Sequence, residues 1–328
     1  MVFGDSTAAI ANKPDAFYLA EIEWIQGRAI TNLQNYQETT REGRGREVRV
    51  TVKNRSLIWQ LKAQYEALLN KAGVLSYPAL HLAVNDQKLQ PRFSHLVIDE
   101  AQDLSPVMLA ILLRLIDWVN GGTLTILADS AQHIYPKGSN MRELKALIAP
   151  HSCQHVPLYK NYRNPRIIAE AADMALGELP PEEESTAHEL PAPVANDDAA
   201  RILFCQFSES TLPDSIRALA ESNPNEVIFA FPSSERYHQA KRVLPKTFRT
   251  STYRTLKGID YPTVVLMDCS AEALPQSEDE VENRDMRKLL YVAISRASQR
   301  LILACPPNAT PSPFVQPIIR QLATPLHD

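Results

Sequence analysis

No glycine in this chain is followed by lysine. All ten glycines can be checked, and none ends a loop of the kind that cradles nucleotide phosphates, which closes on Gly-Lys-Ser/Thr. Gly43-Arg44-Gly45 comes nearest and lacks both the lysine and the hydroxyl residue. Long apolar runs are also missing. None approaches the roughly 20 residues of a membrane helix, so no membrane partner is expected. Met1-Val-Phe-Gly-Asp5 carries no basic segment followed by an apolar one, so no signal peptide is read there. Cysteine is scarce and scattered. Cys153, Cys205, Cys269 and Cys305 each lie in or at the end of an apolar, strand-like run, and read as buried, reduced thiols of a cytoplasmic protein. The net charge of -4 gives no global pull toward nucleic acid, so any such contact must be local.

A length of 328 residues with 45% apolar content suits two domains with real cores. Residues 15 to about 85 read as helical. One apolar stripe runs through Phe17, Leu19, Ile22, Trp24 and Ile25, and another through Leu57, Ile58, Leu61, Tyr65, Leu68 and Leu69. Between them lies a glycine-punctuated basic loop. Its charges, from Arg41 to Arg55, suit either a DNA backbone or solvent. Trp24, Trp59 and Trp118 fall on helical stripes and read as core.

From His95 the pattern alternates. Residues 96–98 read as a buried strand, Ser105-Pro106 as a helix cap and first turn, 107–119 as a helix, and 123–128 as a second buried strand. Strand–helix–strand units build parallel sheets. A short strand is expected to end at Leu158, and Asn164-Pro165 to cap a helix to about Leu176. The Pro/Glu-rich stretch 177–199 reads as a solvated connection. Strands are expected at 202–207, 227–231, 263–268 and 301–305, and helices near 213–221, 234–244 and 284–297. No internal repeat is seen.

The chemistry concentrates where strands end. Asp99-Glu100 follows an apolar run, so one carboxylate is placed for magnesium and the next for polarising water. Asp129-Ser-Ala-Gln132-His-Ile-Tyr135 follows the next strand, with Gln132 placed to sense a γ-phosphate. Arg163 and Arg296 each sit beside an aromatic at a helix boundary or within a helix, and serve either phosphoryl transfer, which gains most from guanidinium groups, or structural ion pairs. His151, Cys153 and His155 share one face if their segment is a strand. No fourth ligand is recognisable, and structural zinc wants four.

Asp-Glu-Ala-Gln-Asp (99–103), Ala-Asp-Ser-Ala-Gln-His-Ile-Tyr (128–135), Asn-Tyr-Arg (161–163), Thr-Tyr-Arg-Thr-Leu-Lys-Gly-Ile-Asp (252–260) and Leu-Leu-Tyr-Val-Ala-Ile-Ser-Arg-Ala (289–297) stand in this order. The series resembles motifs II to VI of superfamily 1 helicases of the UvrD/Rep/PcrA type, over about residues 15 to 305. The resemblance implies ATP and Mg²⁺ as cofactors, bound between two RecA-like domains, and 3′ to 5′ movement on DNA. It implies that Asp99 holds magnesium, Glu100 activates water, and Gln132 couples the γ-phosphate to the DNA groove. Tyr162 would lie near the adenine, with Arg163 and Arg296 on the γ-phosphate. Lys257, Gly258 and Asp260 would lie on the nucleotide side, Asp260 reaching the ribose. Thr252, Arg254 and Tyr135 would lie toward DNA.

Three departures stand out. The P-loop motif is missing. Pro136-Lys-Gly138 replaces the family's base-stacking Trp-Arg-Gly, with Tyr135 as a partial substitute. Motifs IV and V are joined by only about 90 residues, without the large second insertion. The expected fold is therefore α/β. A helical insertion remnant spans 1–92, a partial first RecA-like domain 93–150, and a complete second one 151–328. The first sheet would lack a neighbouring strand, leaving that domain the less stable. The expected function is ATP-dependent DNA unwinding by family, with little or no hydrolysis by these residues alone. Three readings compete: first a truncated helicase product, then half of a split enzyme completed by a P-loop-bearing chain, and a non-catalytic DNA- or protein-binding module.

Overall fold

The computed structural model describes residues 15–39, 50, 52–135, 137–158, 160–178, 192–195, 200–278 and 280–326. They divide into two compact units, one reaching His155 and the other beginning at Val156.

The first unit opens with helices α1 (Asp15–Gly27), α2 (Leu33–Glu38), α3 (Val52–Ala72) and α4 (Tyr77–Asn85). Trp24, Ile25, Tyr36 and Ile58 form a shared core, with Trp59 packed on it. Tyr36 is buried, and its hydroxyl donates to Glu21 Oε1 at 2.7 Å, which satisfies the polar end of an otherwise apolar cluster. Arg55, the last charge of the basic loop, makes hydrogen bonds within this unit. Its guanidinium donates to the carbonyls of Tyr36, Gln37 and Thr39 and so closes the C-terminal end of α2. Arg41, Arg44, Arg46 and Arg49 lie outside the described residues.

Strand β1 (His95–Ile98), helix α5 (Pro106–Arg114) and strand β2 (Thr123–Ile126) form the expected crossover, with the strands parallel and Ile98 opposite Ile126. Ser105 caps α5 by accepting from the Met108 amide, and Pro106 occupies the first turn. The helix stops short of Val119. Beyond it the Phe93 amide donates to the Leu115 carbonyl and the Asp117 amide to the Phe93 carbonyl, which extends the β1 side of the ladder. The reading of two buried strands is corrected here. Ile98 is buried, but Val97 is 65% exposed, and His95, Thr123 and Thr125 face solvent. Among the described residues this sheet has two strands, with helices α5 and α6 (Met141–Ile148) supplying Leu109 and Leu144 to one face. Parallel sheets are ordinarily covered on both faces.

The second unit contains β3 (Lys160–Pro165), α7 (Arg166–Leu176), β4 (Ala192–Ala195), β5 (Arg201–Gln206), α8 (Asp214–Ser222), β6 (Val227–Phe231) and α9 (Ser234–Ala240). It continues with β7 (Arg249–Thr252), β8 (Tyr261–Leu266), α10 (Glu280–Ile294), β9 (Ala297–Cys305), α11 (Gln316–Gln321) and β10 (Thr324–Pro325). A six-stranded sheet runs β10-β5-β9-β8-β6-β7, with each pair parallel. Phe229, Phe231, Val265 and Ile302 carry its core, and the inner strands read as unbroken apolar runs because both faces are covered.

Three expectations change. The strand placed before Leu158 lies later, at Lys160–Pro165, and contains Asn161-Tyr-Arg163. Part of the connection read at 177–199 is strand β4, paired with β3; 179–191 and 196–199 lie outside the described residues. Cys153 is exposed and not in a strand. Its neighbour His151 stacks on Trp118 at 3.9 Å, so the three-ligand face does not exist. Cys269 and Cys305 are buried as expected, and Cys205 is partly so. No described helix is long and apolar enough to cross a membrane.

Candidate functional site

In the first unit the Asp-Glu pair sits where the β1–β2 ladder ends. Leu127 donates to the Ile98 carbonyl, and Ala101 donates to that of Leu127, so the chain turns between these two bonds. The turn forces Glu100 into the left-handed region, at φ 52° and ψ 39°. A non-glycine residue there costs of order 1 kcal/mol and persists where its surroundings fix it. Asp99 is exposed, and its Oδ1 accepts from the Glu100 amide at 2.9 Å.

A polar chain leads from Glu100 to the next strand end. Gln102, 1% exposed, donates from Nε2 to Glu100 Oε2. Its Oε1 accepts from the Asp129 amide at 3.1 Å. Asp129 in turn accepts from the Ala131 amide at 2.9 Å and from Gln132 Nε2 at 2.9 Å. Thus Glu100 and Gln132 lie at the two ends of one network. The sequence reading assigned no role to Gln102. A glutamine between an acidic pair and a helix cap reads as surface, and only its burial shows that it joins two loops. Gly138 closes on the same residue. A Cβ at this position would lie 2.0 Å from the Gln102 carbonyl oxygen, so glycine is required by close approach. Tyr135 is half-buried, and its carbonyl accepts from the Gly138 amide.

In the second unit the two arginines meet. Arg163 Nε lies 3.1 Å from Asp260 Oδ2, and Arg296 Nη1 lies 3.4 Å from Asp260 Oδ1. One carboxylate thus pairs with both guanidiniums. Arg296 is 2% exposed and further anchored. Its Nε donates to the Val292 carbonyl at 3.1 Å and its Nη2 to Ser295 Oγ at 3.0 Å. Arg163 and Asp260 are each more than two-fifths exposed.

The residue that brings the segments together is Asn164, 2% exposed. Its Nδ2 donates to the carbonyls of Ser295 at 2.8 Å and Ala297 at 2.9 Å, the residues on either side of Arg296. Asn161 shapes the turn before it, accepting from the amides of Arg163 and Asn164. The sequence placed Asn164 only as a helix cap. A buried asparagine with long-range partners leaves no local signal. Tyr162, between them, is 71% exposed.

The loop from Thr252 to Asp260 leaves β7 and enters β8. Tyr253 and Leu256 point into the core, while Arg254 and Gly258 are exposed and Lys257 is half-exposed. The Tyr253 hydroxyl donates to the Met267 carbonyl at 2.8 Å, and burial pushes its phenol well above the ordinary value. Thr252 Oγ1 accepts from the Thr255 amide at 3.1 Å, which closes the turn. Gly258 has φ 84°.

Parallel α/β units carrying acids at one strand end, and two guanidiniums on a single carboxylate, define a class of mixed α/β proteins built on parallel sheets. Residues 19–147 match the UvrD/REP helicase N-terminal domain, and residues 238–306 match the UvrD-like helicase C-terminal domain. Together the two matches cover more than half of the chain, and the chain belongs to the UvrD/Rep-type helicase family. A relative in Bacillus subtilis (strain 168), the putative ATP-dependent DNA helicase YjcD, is 33% identical over 89 residues. That match takes in 23% of this chain and 12% of the relative, so the chain aligns with a small part of its length. The C-terminal domain of a possible DNA helicase from Lactobacillus plantarum WCFS1 is similar with TM-score 0.36 and 15% identity, over 50% of this chain and 98% of that one. Arterivirus nonstructural protein 10, a helicase, gives TM-score 0.38 and 17% identity, over 72% and 43%.

Proposed function

We propose that this chain carries the metal-side and arginine-side parts of an ATP-driven DNA helicase motor that moves 3′ to 5′ on DNA in the cytoplasm. On this reading residues 93–150 are part of a first RecA-like domain, and 151–328 form the second. The observation that carries it is the meeting of Arg163 and Arg296, far apart in sequence, on one carboxylate. Two guanidiniums held together suit the charge that develops on a transferred phosphoryl group.

Asp99 and Glu100 fit magnesium by donor type, since both offer carboxylate oxygens and Asp99 is open to solvent. Asp99 is the ligand in this reading, and the metal it holds would neutralise phosphate charge. Glu100 accepts the proton of the attacking water, with its carboxylate aimed by the Gln102 donor. Gln132 reports on that site through Asp129 and Gln102. Tyr162 offers an exposed ring for a base, and Lys257 and Gly258 line the nucleotide side. Thr252, Arg254 and Tyr135 face DNA. A triphosphate fits only in part, because no Gly-Lys pair is present to grip the β- and γ-phosphates. No step is therefore assigned to those phosphates, and hydrolysis is expected only when a P-loop is supplied, whether on a longer chain or a separate one.

The test is single-stranded-DNA-stimulated ATPase activity, with and without an added P-loop-bearing segment. Turnover that needs the segment and DNA, and that is lost with Arg163→Ala, is the expected result. Turnover indifferent to Arg163 would sink the reading. A second reading, a DNA- or protein-binding module without catalysis, is favoured by the missing Gly-Lys pair. DNA binding that ignores nucleotide, with no turnover under any addition, would establish it.

A further inference from the structure

Asp260 occupies both guanidiniums that the proposed function reserves for phosphate, and this inference rests on that function. Three features of the geometry matter. Asp260 lies within ion-pair distance of both arginines, so a single anionic group spans the pair. Arg296 donates from Nε and Nη2 to Val292 and Ser295, and its Nη1 is the nitrogen paired with Asp260. Arg163, by contrast, has a side chain 46% exposed, and among the described residues Asp260 is its ion-pair partner.

The carboxylate therefore sits on the donors that a phosphate would need. Phosphate oxygens and carboxylate oxygens are recognised by the same edges of guanidinium, and one edge cannot serve both fully. Without Asp260 the pair would leave a buried cation, Arg296, beside a half-exposed one, Arg163, an arrangement that draws in anions from the open side.

We propose that Asp260 is an internal counter-ion that competes with polyphosphate for Arg163 and Arg296. Binding of a polyphosphate displaces its carboxylate, which swings to solvent on the exposed side. Asp260 is thus a positioning residue that keeps the arginines together while no phosphate is present and sets how strongly a phosphate must bind to take them over.

The test uses inorganic tripolyphosphate, titrated into the full chain at low salt and followed by phosphorus NMR. Asp260→Asn keeps the shape and removes the charge. It should bind about 10-fold tighter than the parent, a gain that shrinks as salt is added. The gain should vanish when Arg163→Ala is added. Asp260→Ser, which removes the carboxylate with a smaller side chain, should show the same gain. ATP is titrated in parallel, because a residue that holds ribose would lower ATP affinity on substitution while leaving tripolyphosphate unchanged. Equal or weaker tripolyphosphate binding by both variants overturns the competition and leaves the arginine pair standing as a phosphate site. Absence of tripolyphosphate binding by the parent and both variants removes the pair itself, and with it the proposed function.

Discussion

Asn164 donates to the carbonyl of Ser295 across 131 positions of sequence, and in doing so sets Arg163 beside Arg296. The bond is buried, as is its twin to Ala297. Replacing Asn164 with alanine leaves two buried carbonyls without this donor, at about 1–3 kcal/mol each. Asn164→Ala should lower the urea midpoint of the chain by a matching amount. Asn164→Asp, which turns a donor into an acceptor, should lower it at least as much. Midpoints unchanged in both would mean that the segment is held some other way.

Glu100 lies at the end of the Gln102–Asp129–Gln132 network, in a backbone conformation that costs energy. Glu100→Gln keeps the side-chain size and removes the base. Where a supplied P-loop segment restores turnover, this change should abolish it and leave nucleotide binding within about 2-fold. Turnover at the parent rate would remove Glu100 from the chemistry.

Gly138 meets the backbone of Gln102 with no room for a Cβ. Gly138→Ala should destabilise the first unit by roughly 1–3 kcal/mol, because backbone has to move. Proteolysis should then open residues near 95–150 before those of the six-stranded sheet. Simultaneous opening of both at the parent rate would count against the contact.

Asp173, on α7, is pushed up to about 6 by burial first and by the neighbouring Glu170 charge second. Its folded value lies above its ordinary value, so its favourable share is complete below pH about 4 and is lost as pH rises through 6. Asp173→Asn should therefore match the parent at pH 4 and exceed it at pH 7.5, by about 1 kcal/mol after allowance for solvent screening. Thermal melts at the two pH values decide it, and a gain at pH 4 alone would reverse the sign.

The thiols should react in order of exposure. Cys153 is open, whereas burial pushes the Cys269 thiol up to about 12 and moves Cys305 the same way. A thiol-labelling reagent at neutral pH should modify Cys153 within the mixing time and Cys269 and Cys305 only after denaturant. Rapid modification of Cys269 in the folded chain would contradict the packing of β8 against β9.

Some of this was readable without coordinates. The apolar run at 96–98 followed by two acids sufficed to set a strand end there, because β-rich runs and charged turns are local properties. Ser105-Pro106 announced α5 for the same reason, since a hydroxyl and a locked φ act within one turn. The apolar runs at 227–231 and 301–305 marked inner strands buried on both faces. Strand β7, Arg249-Thr-Ser-Thr252, left no such trace. It lies at the sheet edge, and its residues are polar and only partly buried, so they carry no apolar run. The openness of β1 was equally hidden, because a run of Leu-Val-Ile reads as buried whether or not a neighbour exists to bury Val97.

The linear order of residues therefore determined where the strongly patterned helices and inner strands form, where acids stand at a strand's tip, and that lysine never follows glycine. Those are matters of near neighbours and of composition. That Asn164 grips the two sides of Arg296, that Gln102 joins one loop to the next, and that one aspartate holds two arginines were decided only by the folded chain. Each is a hydrogen bond or ion pair between residues distant in sequence, and its strength depends on burial and distance, which no local pattern encodes.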